Sequence, residues 1–186
     1  MLYLTINIMK GETDPMNSAE LDKYISMVAA GDMAALESVY NMTRASVYSF
    51  ALSMLKNKYD AEDVLHDCYI NIYKGAAGYR SDGKPMAWVI TIAKNLCNAK
   101  LNAATKNVFL MDDEQDEEAY IADGLSPEDA LILKDLLSGI SDEERRIVVL
   151  HAVAGLKHRE IADILSIPIS TVLSKYSRAI KKLQNA

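Results

Sequence analysis

Lys175, Arg178, Lys181 and Lys182 crowd into the segment 171–183, which holds no carboxylate, although the whole chain has a formal net charge of −6. Local cations against an acidic background are suited to binding a polyanion, because ammonium and guanidinium groups neutralise phosphates and release their counterions. Catalysis has no comparable footing. The sequence offers no Ser/His/Asp set, no phosphate-binding loop and no metal-ligand spacing. Its three histidines, His66, His151 and His158, are widely dispersed. His66 and Cys68 stand at i and i+2, which do not face each other on a helix. No catalytic residue, metal ligand or cofactor is expected, and the chain reads as a binding protein rather than an enzyme.

The cations need a mount, and the pattern around them supplies one. In HREIADIL, residues 158–165, Ile161, Ala162 and Leu165 fall on one helical face. Ser166-Ile-Pro-Ile-Ser170 then interrupts, because Pro168 cannot continue a helical hydrogen-bond ladder. Ser170 is expected to cap a second helix. There Val172, Tyr176, Ala179 and Leu183 recur at i, i+4, i+7 and i+11, the period of a buried helical stripe. Thr171, Ser174, Lys175, Arg178 and Lys182 are assigned to the opposite face. Two helices across a tight turn, the second one basic, point to a DNA major groove. Thr171 and Ser174 at the helix start can donate to phosphate, and Arg159, on the first helix, is placed for the DNA backbone. The plainer reading is a solvated terminal helix whose cations are favoured by its dipole.

The rest of the chain is segmented by charge. Residues 1–106 balance, with eleven Lys/Arg against eleven Asp/Glu. Residues 107–140 hold one cation, Lys134, against ten acids, and residues 141–186 hold eight cations against five acids. A run such as Asp112-Asp-Glu-Gln-Asp-Glu-Glu118 repels itself and is expected to stay extended and solvated. The apolar content, 50%, is ample for a core. No apolar run approaches the ~20 residues of a membrane span, so no membrane insertion is expected. Cys68 and Cys97 are isolated and read as small buried hydrophobes of a reducing cytoplasm.

Every apolar pattern beyond residue 15 has helical period, and no hairpin signal joins alternating runs. The chain is therefore expected to be all-α, with two small helical domains joined by an acidic linker. Residues 1–15 are either a flexible leader or a misassigned start, with Met16 as the other candidate; 16–106 form the first domain, 107–125 the linker and 126–186 the second. Helices are expected after Gly31 or Asp32, after Asp60, and from Lys84-Pro85, where proline is tolerated in a first turn. Leu36, Val39, Tyr40, Val47, Phe50, Ala51 and Met54 are the expected buried face of the first of these. Asn17-Ser-Ala-Glu20, Ser126–Asp129 and Ser141–Glu144 read as capping boxes or near variants, and Gly155 as a helix stop.

In this order the elements resemble the sigma-70 family of bacterial RNA polymerase sigma factors, in its short extracytoplasmic-function (ECF) group, which keeps only regions 2 and 4. Ala61-Glu-Asp-Val-Leu-His-Asp-Cys-Tyr69 resembles the acidic helix that docks on the polymerase. Trp88-Val-Ile-Thr-Ile-Ala-Lys-Asn95 resembles the helix of promoter melting. Arg159-Glu-Ile-Ala162, Thr171–Lys175 and Arg178-Ala179 resemble the closing helix-turn-helix. The likeness covers roughly residues 20–106 and 126–184.

The resemblance implies an alternative sigma factor that brings polymerase core to promoters and helps to melt the −10 region. Its partners are RNA polymerase core, promoter DNA and an anti-sigma protein, with no cofactor. Glu62, Asp63, Leu65, His66, Asp67 and Tyr69 are the implied polymerase contacts. Tyr79, Arg80, Lys84, Trp88, Lys94, Asn95, Asn98 and Lys100 are implied for the −10 strand, where rings replace base stacking and cations track phosphates. Arg159, Thr171, Ser174, Lys175, Arg178 and Lys182 are implied for the −35 duplex, and the acidic linker for the polymerase's nucleic-acid channels. The sequence departs from the family pattern at His66, where Gln is common, at Ala99, Asn102 and Ala103, where an Asp and Arg are usual, and at Leu173, which replaces a common Lys. Fewer cations imply a weaker grip on the −10 region or a different −10 sequence. Two rival readings are a helix-turn-helix regulator acting without polymerase and a sigma-like decoy or adaptor that holds an anti-sigma protein.

Overall fold

The computed structural model describes residues 18–107 and 139–184, which fall in two separate units, each built of α-helices. The expected leader, the box at Asn17, the acidic linker and the Ser126 box lie outside the described residues.

In the first unit, α1 (Ser18–Ala29) presents Leu21, Ile25 and Val28 to the core. α2 (Met33–Leu55) starts where Asp32 turns its carboxylate back onto the Ala34 and Ala35 N–H groups at 2.9 and 3.2 Å. It stops at Lys56, whose φ of 56° no helix continues. Of its expected face, Val39, Val47, Phe50 and Ala51 are buried, Leu36 and Met54 half-buried, and Tyr40 is exposed. Thr43, Ser46 and Ser53 are buried in its place. Two of these hydroxyls bond back to helix carbonyls, Thr43 to Val39 and Ser53 to Phe50, both at 2.7 Å, so burial leaves them satisfied.

α3 (Lys58–Gly75) begins earlier than the sequence suggests. Asn57, in an extended conformation, is the cap and accepts the Asp60 N–H at 3.1 Å. This releases the Asp60 carboxylate for a tertiary contact. A 3-10 turn (Ala76–Gly78) and a loop lead to α4 (Pro85–Asn107), with Pro85 in the first turn as expected. Val64, Cys68 and Ile72 of α3 meet Val89, Ile90, Ala93 and Cys97 of α4 in the core, all at most 1% exposed. Burial pushes both thiols up to about 12, so they pack as uncharged hydrophobes.

The second unit comprises α5 (Asp142–Ala152), α6 (His158–Leu165) and α7 (Ile169–Gln184). The Ser141–Glu144 capping box is present: Ser141 Oγ accepts the Glu144 N–H at 3.3 Å and Glu144 Oε2 accepts the Ser141 N–H at 2.9 Å. Gly155, at φ 68°, turns the chain after α5. Ser166, at φ 57°, ends α6, and the Ile167 N–H closes on the Ala162 carbonyl at 3.1 Å. Ser170 is not the cap. α7 opens two residues earlier, at Ile169, and the Pro168 carbonyl accepts N–H groups from Thr171 and Val172 at 2.9 and 3.2 Å. Ile147, Leu150, Ile161, Ile164 and Val172 are buried, and Ala179 packs with Ile140 and Val148 against Tyr176 and Leu183.

The histidines are not all dispersed. His151 and His158 stack at 4.4 Å, and each meets Tyr176 edge-on at 4.9 Å. Seven residues apart in sequence, they are brought together by the turn at Gly155.

Candidate nucleic-acid interface

α3 turns one face to its own unit and the other outward. Glu62, Asp63, His66 and Asp67 are exposed, together with Ile70 and Tyr73, each 48% exposed. Positions 62, 66, 70 and 73 succeed one another up the helix, so the outward face combines acids with two large apolar groups. Sequence reasoning misses Ile70 and Tyr73 because an apolar residue in an amphipathic run is first assigned to the core. Leu65 is half-buried. Tyr69 is a correction. It is 7% exposed, its hydroxyl pairs with Thr43 Oγ1 at 2.8 Å, and its ring meets Tyr40 edge-on at 4.8 Å. Its role is to join α3 to α2, and the outward apolar surface belongs to Ile70 and Tyr73.

Lys100 is a second correction. It lies one turn beyond buried Cys97 and seven residues past buried Ala93, which turns it toward α3. Its Nζ donates to Asp60 Oδ1 at 2.7 Å and Asp63 Oδ2 at 3.0 Å. Partial burial works against its charge, but the two carboxylates outweigh that and raise its pKa. Lys100 therefore braces α4 against the start of α3 instead of facing a nucleic-acid strand.

The loop 79–84 is built on a residue that no sequence motif singles out. Asp22 of α1 accepts the Tyr79 hydroxyl on one carboxylate oxygen and the Ser81 hydroxyl on the other. One turn earlier, Ser18 Oγ donates to the Gly83 carbonyl at 3.2 Å, and Asp82 Oδ1 accepts the Lys84 N–H at 3.1 Å. Burial, and then the bond to Asp22, raises the Tyr79 pKa, so the phenol stays protonated as the donor. The tie holds the Tyr79 ring against Trp88, with centroids 4.8 Å apart. Trp88 is half-buried, and a Cβ at Gly75 would lie 3.6 Å from its Cζ2, so the indole lies over backbone at Gly75. Trp88 is thus part of an aromatic pair at the surface, not a core residue. Arg80 and Lys84 are exposed on the same loop. Along α4, Thr91 and Asn95 are exposed and Lys94 and Asn98 half-buried. The structure brings Tyr79, Arg80, Lys84 and Trp88 together and continues them with Asn95 and Asn98 along the helix.

The basic helix is arranged differently from its expected face. Positions 171, 175, 178 and 182 lie one residue from the buried stripe 172, 176, 179 and 183, about 100° around the helix, so they flank it instead of opposing it. The first turn of α5 meets three of them. Lys175 Nζ donates to Glu143 Oε2. Lys182 Nζ donates to Glu144 Oε2 at 2.9 Å, and Arg178 Nε stands 4.0 Å from Glu144 Oε1. Glu144 is only 3% exposed. The Lys182 ammonium, then the Ser141 N–H, hold its carboxyl down at about 2. The exposed residues of α7 are Ile169, Ser170, Leu173, Ser174, Ser177, Arg178, Lys181, Lys182 and Gln184. Thr171 is half-buried, Ser174 Oγ donates to the Thr171 carbonyl at 3.0 Å, and Arg159 of α6 is exposed. Lys181, counted as a cation but not as a contact, lies on the outward face.

These arrangements match known proteins. Residues 39–106 match the family model for Sigma-70 region 2, and residues 130–183 match that for Sigma-70, region 4. Together the two matches span about two thirds of the chain. The chain belongs to the sigma-70 family, within its ECF group. Its function is that of an alternative sigma factor. It is 27% identical over 177 residues to the ECF RNA polymerase sigma factor SigW of Bacillus subtilis, covering 88% of this chain and 95% of that one. It is also 27% identical over 179 residues to the ECF RNA polymerase sigma factor SigK of Mycolicibacterium vanbaalenii, covering 91% and 90%. Among solved structures, the fold is similar to that of the sigma factor RpoE from Bartonella quintana, in complex with the anti-sigma factor NepR. There the TM-score is 0.66 and identity 22%, over 80% of this chain and 94% of that one. CnrH, solved with the cytosolic domain of CnrY, gives a TM-score of 0.61 at 17% identity, over 89% and 96%. No helix among the described residues is long and apolar enough to cross a membrane.

Proposed function

We propose that the chain acts in the cytoplasm as a non-catalytic subunit of RNA polymerase, with three working surfaces. The outward face of α3, with Glu62, His66, Asp67, Ile70 and Tyr73, docks on a basic surface of the core enzyme. Its acids set orientation and on-rate, and its apolar groups supply the desolvated contact. The loop 79–84, with Trp88, Asn95 and Asn98, takes up the unpaired −10 strand. α7 enters the −35 duplex, and Arg159 reaches its backbone. When a partner such as an anti-sigma protein holds the chain inactive, it covers these same faces.

The observation that carries this reading is the Tyr79–Trp88 pair on a loop pinned by Asp22. A half-buried aromatic pair beside exposed Arg80 and Lys84 suits unstacked bases, which need a π-face to replace the stack and cations for the phosphates. The test is promoter DNA carrying 2-aminopurine in the −10 non-template strand, mixed with core polymerase and the full chain. Fluorescence should rise on melting, and W88A should reduce the rise at least severalfold while leaving core binding unchanged. A W88A holoenzyme that melts the promoter like the wild type would overturn the assignment.

A further inference from the structure

We propose that Leu173, with Ile169 one turn before it, reads thymine 5-methyl groups in the duplex that α7 enters. The inference rests on the −35 reading of α7 given above and names what that helix selects.

Ile169 and Leu173 are 46% and 48% exposed, large apolar side chains in the first turns of α7 that their own unit leaves uncovered. In a helix-turn-helix, residues near the N-terminus of the second helix are the ones that meet base edges. The other exposed side chains of these first turns carry hydroxyls, Ser170 and Ser174, and the first cation of the helix is Lys175. Lys175 and Lys182 are paired with Glu143 and Glu144, and exposed Arg178 stands a turn beyond Ser174, to whose carbonyl its Nε donates at 3.3 Å. At the point of closest approach to the bases, α7 therefore offers hydrocarbon and hydroxyl in place of a guanidinium or ammonium.

The major-groove edges answer such a surface unequally. Guanine presents two acceptors and cytosine a donor, and an apolar group laid on either strips water from a polar atom and returns no hydrogen bond. Serine hydroxyls satisfy either base and discriminate little. Thymine alone offers a methyl group, so an isobutyl side chain selects it both by contact and by what it excludes. Side chains at i and i+4 stand about 5–6 Å apart, against about 3.4 Å between successive base pairs. Leu173 and Ile169 thus span thymines one or two steps apart. Charge complementarity fixes the occupant as duplex DNA, because the same helix carries Lys175, Arg178, Lys181 and Lys182 alongside the apolar pair.

The test uses the full chain with core polymerase and a duplex selected from a library randomised over the −35 region. Each thymine in the selected site is then replaced by deoxyuridine, which removes the methyl group and nothing else. At one or two positions the replacement should weaken binding about three- to fourfold, the effect of withdrawing one buried methyl. L173A should abolish that sensitivity at one of these positions, and L173K should move selection there toward guanine. Because the side chain is exposed, L173A should melt at the wild-type temperature, which separates recognition from folding. Sequence-selective binding that ignores the deoxyuridine replacements, or an L173A chain that retains the full sensitivity, overturns the inference and leaves the −35 reading standing. A holoenzyme that selects no −35 sequence overturns both.

Discussion

Replacing Glu144 by Gln removes one negative charge from the interior of the C-terminal unit and keeps the shape of the side chain. The carboxylate takes the Ser141 N–H and the Lys182 ammonium, both at 2.9 Å, with the Arg178 guanidinium 4.0 Å away. The Lys182 ammonium, then the Ser141 N–H, lower its pKa from 4.5 to about 2. A carboxyl depressed in the folded chain binds its proton less tightly there than in the unfolded chain. Its stabilisation is fully present above pH 4.5 and is lost as the pH falls toward about 2. At about 1.4 kcal/mol per pKa unit, that interval caps the contribution at about 3 kcal/mol. Lys182 and Arg178 are 48% and 61% exposed, and water screens them, which brings the expected figure to about 2 kcal/mol. Gln keeps an oxygen for the Ser141 N–H, so E144Q should lower the stability of this unit by about 2 kcal/mol near pH 7, more than half of it gone by about pH 3. The assay is a urea titration of the full chain, with hydrogen exchange of the α5 amides reporting the unit that contains Glu144. A loss below about 0.5 kcal/mol near pH 7, the size of an ordinary surface change, would mean that the Glu144 carboxylate does not hold this unit together. So would a loss that stays the same at low pH.

Three other contacts set further outcomes. E143Q, at an exposed site, should leave stability nearly unchanged while releasing Lys175 for phosphate; duplex binding should tighten and its logarithmic salt slope steepen by about one, and an unchanged slope counts against this. D22N weakens the tie on Tyr79 and Ser81, so open-complex formation should fall severalfold with −35 duplex binding unaffected; equal losses at both elements would point to general unfolding instead. Burial, then the neighbouring His151, lowers the His158 pKa below 6.5, so the folded chain resists its protonation. Stability of the C-terminal unit should therefore decline as pH falls from about 7 to about 5, and H158F should flatten that decline; a slope identical to wild type would contradict it.

Much of this fold is legible in the sequence because its signals are local. The Ser141–Glu144 box, the break at Pro168 and the Val172 stripe each act within a few residues, and each appears where the pattern places it. What escapes the sequence is tertiary. Asp22 is 57 residues from Tyr79, Lys100 is 40 from Asp60, and Lys175 is 32 from Glu143, and no periodicity predicts such partners. Tyr69 departs from the docking role that the resemblance implies for a related reason. α3 is covered by α2 on one side and α4 on the other, so its buried arc is wide enough to take both the 64/68/72 and the 69 positions. For α7 the helical period itself corrects the expected face, since positions 171, 175, 178 and 182 fall one residue, about 100°, from the buried stripe. That difference separates cations that point away from the core from cations that flank it. The interface is readable as a set of elements, while the partners of its charges are fixed only by packing.

As an alternative sigma factor, the chain should bring polymerase core to particular promoters and start transcription there. The decisive measurement is run-off transcription with purified core polymerase and the full chain, on a library of promoter fragments. The predicted result is discrete transcripts from a subset of fragments that share −10 and −35 sequences, lost when Glu62 and Asp67 are both changed to Lys. A chain that binds core and yields no promoter-specific transcript would contradict that role and leave a sigma-like decoy in its place.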